Sequence, residues 1–163
     1  MFSGNYTNRL FGRTRGRSKK KINLENYYKK VDKFKFQSFN EKSEYILDIG
    51  TGYGETSIFL AKQFPDKVVI SCEKYIDGNI DLLKNIEKNK IKNIRLHNGN
   101  VYDVLEGIYR ECFSLVWIFF PDPWPKNRHA KRRLLTSEFL VKLHNTLKDN
   151  SEIHIATDST IYV

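Results

Sequence analysis

Apolar positions along the chain change their pattern at residue 45. From there, short apolar runs alternate with stretches in which Leu and Ile recur every three or four residues. Tyr45-Ile46-Leu47-Asp48-Ile49 predicts a strand, Glu55 to about Phe64 a helix, and Lys67 to Cys72 a second strand. Ile76, Ile80 and Leu83, like Leu82 and Ile86, keep helical spacing, and Ile94-Arg95-Leu96-His97 predicts a third strand. Val101, Val104, Leu105 and Ile108 fall on one face of a short helix. Leu115-Val116-Trp117-Ile118 is apolar throughout, as a strand buried on both faces is. Phe139, Leu140, Leu143 and Leu147 predict a last helix, and Ile153-His154-Ile155-Ala156 a fifth strand. Strands alternating with helices imply βαβ units: an α/β fold with a mostly parallel sheet, helices on both faces and right-handed crossovers.

Residues 1–40 follow another pattern. Arg9, Arg13, Arg15, Arg17, Lys19, Lys20 and Lys21 are spaced by Gly and Ser, and no acid precedes Glu25. Such a segment buries too little apolar surface to order itself. The expected organisation is a mobile basic arm over 1–40, with a short helix around Leu24 to Phe36, and one domain over 41–163. The arm is either a solubilising tail or a strip laid along phosphates. Overall, 28 Lys and Arg against 19 Asp and Glu give a net charge of +9. That balance points to an anionic partner, nucleic acid before membrane. Cys72 and Cys112 lack metal-type spacing and lie in apolar segments, as reduced core thiols of a cytoplasmic protein do. No run approaches the 18 or so apolar residues of a membrane span, and no metal is expected.

In an open parallel sheet, all strands point their carboxyl ends at one crevice. Here those ends carry Asp48 with Gly50-Thr51-Gly52-Tyr53-Gly54, then Glu73, Asn100, Asp122 and Asp158. Glycines let a ligand approach the backbone, and an acid ending the second strand is placed for a ribose diol. This predicts a nucleoside cofactor over Asp48, Gly50, Gly52 and Glu73. A dinucleotide would bring its pyrophosphate against Asp48, whereas S-adenosylmethionine (SAM) brings an ammonium and a sulfonium, so SAM is the expected cofactor. The alternative for Asp48 is a hydrogen-bonding role in the loop or helix.

The fourth strand runs into Phe119-Phe120-Pro121-Asp122-Pro123-Trp124-Pro125-Lys126. Three prolines end the strand and leave Asp122 little backbone freedom. Five cations and a histidine follow within Lys126-Asn127-Arg128-His129-Ala130-Lys131-Arg132-Arg133.

From Tyr45 to Asp158 the chain resembles the bacterial tRNA (guanine-N7)-methyltransferase family, SAM-dependent class I methyltransferases with a Rossmann-like sheet. Phe120-Pro121-Asp122-Pro123-Trp124-Pro125-Lys126, Arg128-His129 and Lys131-Arg132-Arg133 resemble its signature, and Ala156-Thr157-Asp158 its next motif. The resemblance implies SAM contacts at Asp48, Glu73 and Asn100, and places Asp122 where cofactor and guanine meet. It implies substrate contacts at Lys126 and Asp158, and tRNA contacts from Arg128 to Arg133, namely Arg128, His129, Lys131, Arg132 and Arg133. Two departures stand out. Asn100 occupies a position that is usually Asp, and the chain stops at Val163, before the family's last helix, strand pair and Thr-x-x-Glu motif. An incomplete pocket, weak SAM binding, poor methyl transfer and self-association through the Ile153 and Ile155 edge are the expected results.

The implied reaction transfers the SAM methyl to guanine N7 in the tRNA variable loop, at position 46. N7 has a lone pair and no proton, so catalysis is positioning plus electrostatics, with Asp122 reading the N1–H and N2–H₂ edge. Trp124 either packs or stacks on the extruded base, and His129 contacts phosphate rather than acting as a base. Competing readings are an amino-group methyltransferase, an NAD-dependent oxidoreductase opposed by Asp48, and a non-catalytic RNA-binding fragment. The oligomeric state is left open by the sequence.

Overall fold

The computed structural model describes residues 24–108 and 111–163. Eleven elements follow in chain order: α1 (Leu24–Val31), β1 (Tyr45–Ile49), α2 (Glu55–Gln63), β2 (Val68–Cys72), α3 (Ile76–Asn89), β3 (Ile94–His97), α4 (Val101–Glu106), β4 (Phe113–Phe119), a 3₁₀ helix (Asn127–Arg132), α5 (Ser137–His144) and β5 (Leu147–Ala156). The five strands form one sheet in the order β3-β2-β1-β4-β5, every pairing parallel. Chain order reverses between β1 and β4, so the crevice of this sheet opens there.

Side chains alternate across β1 and fill two cores. Leu47 and Ile49 join Ile70, Val116 and Ile118 beneath Val104, Phe139 and Leu143 of α4 and α5. Ile46 turns the other way, with Val69, Leu115 and Ile94, against Leu60, Leu82 and Ile86 of α2 and α3. Helices on both faces explain why β1 is buried at every position and why its sequence does not alternate.

Three expectations are corrected. Residues 24–39 do not belong to a mobile arm. Tyr27 and Val31 are buried in the second core, Phe36 and Phe39 pack against the first, and Phe36 N–H donates to the Leu96 carbonyl at 2.8 Å. Burial pushes the Tyr27 hydroxyl up to about 12, helped by its neighbour Tyr28. The helix there ends at Val31, short of Phe36. Arg9 to Lys21 lie outside the described residues.

The third correction is Leu147, which begins β5 opposite Phe113 rather than extending α5. Thr146 Oγ1 donates to the Leu143 carbonyl at 2.6 Å and closes that helix. Between Leu147 and Glu152 the register shifts, and Asn150 takes φ 58°, the left-handed region that Asn tolerates better than most residues. Among the described residues no helix is long and apolar enough to cross a membrane, and no group of three His, Cys, Asp or Glu side chains is placed to hold a metal.

Candidate active site

Because every strand is parallel, the polar residues at their carboxyl ends fall along one edge. Their order is Asn100, Glu73, Asp48 with the glycine loop, Asp122 and Asp158. Glu73, Gly50, Gly52 and Asp48 form one cluster, Asp122 with Lys126 to Arg133 another. Asn100 and Asp158 lie towards the two ends.

The glycine loop joins β1 to α2. Gly50, Gly52 and Gly54 have φ of 74°, 54° and 84°, which only glycine adopts without strain. The three differ in what a side chain would meet. A Cβ at Gly50 or Gly52 finds nothing within 4 Å, while one at Gly54 meets Leu82 Cδ1 at 2.6 Å. Gly54 is therefore a packing glycine at the N-cap of α2, and Gly50 and Gly52 leave bare backbone facing open space. Helix α3 supports the loop from behind: a Cβ at Gly78 would lie 2.8 Å from the Gly52 carbonyl carbon.

Glu73 pins the loop from the next strand. Its Oε2 accepts from Gly52 N–H at 2.9 Å and its Oε1 from Tyr75 N–H at 2.7 Å. Asn79, fully buried in α3, donates to the Glu73 carbonyl at 2.9 Å and to Asn98 Oδ1 at 3.3 Å. Tyr53 and Tyr75 meet edge to face beside the loop, centroids 5.9 Å apart. Hydrogen bonding with Tyr53, then burial and Asp77, raises the Tyr75 hydroxyl well above its ordinary value.

Asp48 is 2% exposed. Its Oδ2 accepts from Thr56 Oγ1 and Ser57 Oγ, both at 2.6 Å, so the carboxylate ties the end of β1 to the first turn of α2. Burial raises its pKa to about 6, the two hydroxyls oppose the rise, and the charge of Glu73 adds to it. Asp48 thus lies behind the loop as a buried, rigid negative charge near neutral pH. Asn100 caps α4: its Oδ1 accepts from Tyr102 N–H at 3.1 Å, and Asp103 returns the bond to Asn100 N–H at 3.3 Å. His97, which meets the Asn100 carbonyl at 3.0 Å, is kept below its ordinary value, chiefly by burial.

Across the crevice, the proline loop carries backbone strain on both sides of Asp122. Phe120 and Trp124 adopt φ of 49° and 44°, costly for bulky residues and found where surroundings enforce it. Asp122 itself is exposed. Its carbonyl accepts from the Tyr162 hydroxyl at 2.8 Å. Phe120 N–H bonds the Ala156 carbonyl of β5 at 2.7 Å.

The cations behind the loop divide by direction. Arg133 Nε donates to the Pro123 carbonyl at 3.2 Å and its Nη2 to the Trp124 carbonyl at 3.3 Å. Arg132 lies 4.9 Å from the Trp124 ring centroid, and His129 meets that ring edge-on at 5.7 Å. Lys126, Arg128 and Lys131 are exposed. Arg128 and Lys131 stand three apart, on one side of the 3₁₀ helix. Burial, then Arg132, Arg128 and Lys126, lowers the His129 pKa. Its neutral Nε2 accepts from Arg128 Nε at 3.4 Å. Asp158 is exposed two residues beyond β5.

Gly78, Asn79, Tyr162 and the inward turn of Arg133 escaped the sequence reading. Spacing marks none of them, since each acts by folding back on a distant segment.

A five-stranded parallel sheet with a bare glycine loop, an acid ending the second strand and a strained proline loop beside them is the framework of a class I methyltransferase. A precorrin-6y C5,15-methyltransferase from Geobacter metallireducens shares the fold with a TM-score of 0.55 at 18% identity, covering 86% of this chain and 66% of that one. Residues 42–163 match the model of a family described as "Putative methyltransferase". The tRNA (guanine-N(7)-)-methyltransferase of Neorickettsia sennetsu is 37% identical over 157 residues, 94% of this chain and 70% of the relative. That of Zymomonas mobilis is 39% identical over 124 residues, 76% of this chain and 54% of the relative. The chain belongs to the tRNA (guanine-N7)-methyltransferase family. It spans about half the length of several of the curated relatives it matches.

Proposed function

We propose that the chain is a cytoplasmic enzyme that transfers a methyl group from SAM to N7 of guanine in tRNA. The observation that carries this is the bare backbone at Gly50 and Gly52, set between the acids Glu73 and Asp48 and opposite the Asp122 loop at the switch between β1 and β4. The residues fit SAM. Open space over two glycines admits a ligand against the backbone, and no Lys or Arg lies between Asp48 and Gly54 to bind a pyrophosphate.

Glu73 and Asn100 would hold the nucleoside part. A carboxylate has about four acceptor sites, and Glu73 commits two of them within the protein. Asn100 is held at the N-cap of α4, just beyond the carboxyl end of β3, with its Oδ1 accepting from the first turn of that helix. Asp48, buried behind the loop, favours a cationic ligand through its field rather than by direct contact. When bound, SAM supplies an electrophilic methyl on a sulfonium, and transfer replaces the S–C bond by an N–C bond and leaves the positive charge on the purine.

Asp122 accepts hydrogen bonds from the N1–H and N2–H₂ edge of guanine and stabilises the ring as it becomes cationic. N7 carries no proton, so the site needs no general base, and the lowered His129 has no proton to remove. Rate enhancement comes from orientation and fixed charge. Lys126, Arg128 and Lys131 are the outward cations suited to tRNA phosphates, and Asp158 closes the substrate side. The variable loop, at position 46, is the proposed target.

The test is incubation with methyl-labelled SAM and bulk tRNA, followed by nucleoside digestion and mapping. Label in 7-methylguanosine is expected. Label on an exocyclic amine would make the protein an amino-group methyltransferase, and tRNA binding without label would refute catalysis by this chain.

A further inference from the structure

We propose that Arg133 and Tyr162 are positioning residues that clamp the proline loop and thereby fix the carboxylate of Asp122. This rests on the reading of Asp122 given above.

The loop cannot hold itself. Pro121, Pro123 and Pro125 have no N–H, so three of the five residues from Pro121 to Pro125 donate nothing. Two aromatic residues, Phe120 and Trp124, sit at positive φ, a conformation the chain would leave if released. Three consecutive carbonyls, those of Asp122, Pro123 and Trp124, instead receive donors from outside the loop. Tyr162 OH serves the first at 2.8 Å, and the forked guanidinium of Arg133 serves the other two at 3.2 and 3.3 Å. A carbonyl held on each successive residue leaves the Asp122 backbone no rotation that keeps all three bonds. Guanidinium suits the task because its planar fork reaches two acceptors at once, which an ammonium does not do in the same geometry. Arg133 therefore differs in kind from Arg128 and Lys131, although all three belong to one basic run.

Replacing Trp117 by Phe leaves Trp124 as the single tryptophan, a reporter inside the clamped loop. In that background, Tyr162→Phe and Arg133→Lys are expected to increase acrylamide quenching of Trp124 while SAM affinity stays unchanged. With tRNA, kcat should fall roughly 3- to 10-fold for Tyr162→Phe, the worth of one hydrogen bond. For Arg133→Ala the loss should reach about 100-fold, as displacement of a reacting group by about 1 Å produces. KM for tRNA should hold in both. Guanidinium ion, added well below the unfolding range, should partly restore kcat and Trp124 protection to Arg133→Ala, whereas a variant that is merely destabilised would worsen. Unchanged Trp124 quenching in Tyr162→Phe and Arg133→Lys overturns the clamp, as does a loss confined to KM. A wild-type chain that transfers no methyl overturns the proposed function instead, and Trp124 quenching with its guanidinium rescue still decides the clamp.

Discussion

Gly78→Ala reverses the usual effect of that substitution in a helix. Alanine normally gains about 0.5–1 kcal/mol over glycine by lowering the entropy of the unfolded chain and improving helix propensity. At Gly78 the new methyl would stand 2.8 Å from the Gly52 carbonyl carbon and closer still to its oxygen, under the 3.0 Å that real Cβ atoms keep. One backbone must retreat by about 1 Å to restore ordinary contact. If the loop yields, the 2.9 Å bond from Gly52 N–H to Glu73 stretches beyond hydrogen-bonding range, costing about 1.5–3 kcal/mol for a charged acceptor. If α3 yields, its packing is disturbed by about 1–3 kcal/mol. Set against the usual gain from alanine, the net expectation is a loss of up to about 2.5 kcal/mol, with SAM affinity falling as the loop shifts. Urea unfolding and calorimetric titration with SAM measure the two effects. Gly107→Ala is the control: its Cβ would lie 3.6 Å from the Val104 carbonyl oxygen, an ordinary contact, and stability should stay within about 0.5 kcal/mol. A Gly78→Ala protein as stable as wild type, with undiminished SAM affinity, would refute the role assigned to this contact.

Asp48→Asn tests the buried charge. A carboxyl raised to about 6 contributes stability that is fully present below about pH 4 and lost as pH rises through about 6. That loss is about 3 kcal/mol, and the wild-type minus Asn difference in unfolding free energy should trace it between pH 4 and 7; parallel curves would count against it. Asp122→Ala should lower methyl transfer by about 10²–10³-fold with little change in melting temperature, since the side chain is exposed, and full activity would remove Asp122 from the mechanism. Arg128→Ala and Lys131→Ala should each reduce the log–log salt slope of tRNA binding by roughly 0.7–0.9, and an unaltered slope would mark them as solvated surface charges.

The order of strands and helices was legible because packing on both faces writes itself into local composition. Leu115 to Ile118 reads as a central strand from the absence of polar positions, and Gly50 to Gly54 marks the turn after β1 by residue type alone. Elsewhere the deciding partner lay far along the chain. Tyr27 and Val31 form an i, i+4 apolar pair on α1, but its lysine-rich surroundings masked that stripe, and the segment read as a short helix in a mobile arm rather than as part of the core. Leu147 continues the i+4 spacing of Leu143, yet its backbone pairs with Phe113 and the sheet prevails over the helical period. Within Arg128 to Arg133, sequence supplies a run of cations and no direction. A 3₁₀ helix, three residues to the turn, sends some outward and others back to Trp124. Of the site, residue types and strand ends were readable, and the hydrogen bonds that orient them were not.

The central strand β1 takes its two neighbours from distant parts of the chain, Tyr45 pairing with Val68 on one side and Phe113 on the other. The glycine loop and the proline loop therefore become neighbours only when β4 has docked, a late and entropically costly closure. A ligand that needs both loops discriminates completely between the native state and anything less assembled. Its binding free energy is then added to folding, about 2.7 kcal/mol at a hundredfold excess over Kd. Cofactor concentration would act on this chain as a stabiliser as much as a reactant, and protease resistance titrated against it would read out closure of the whole sheet.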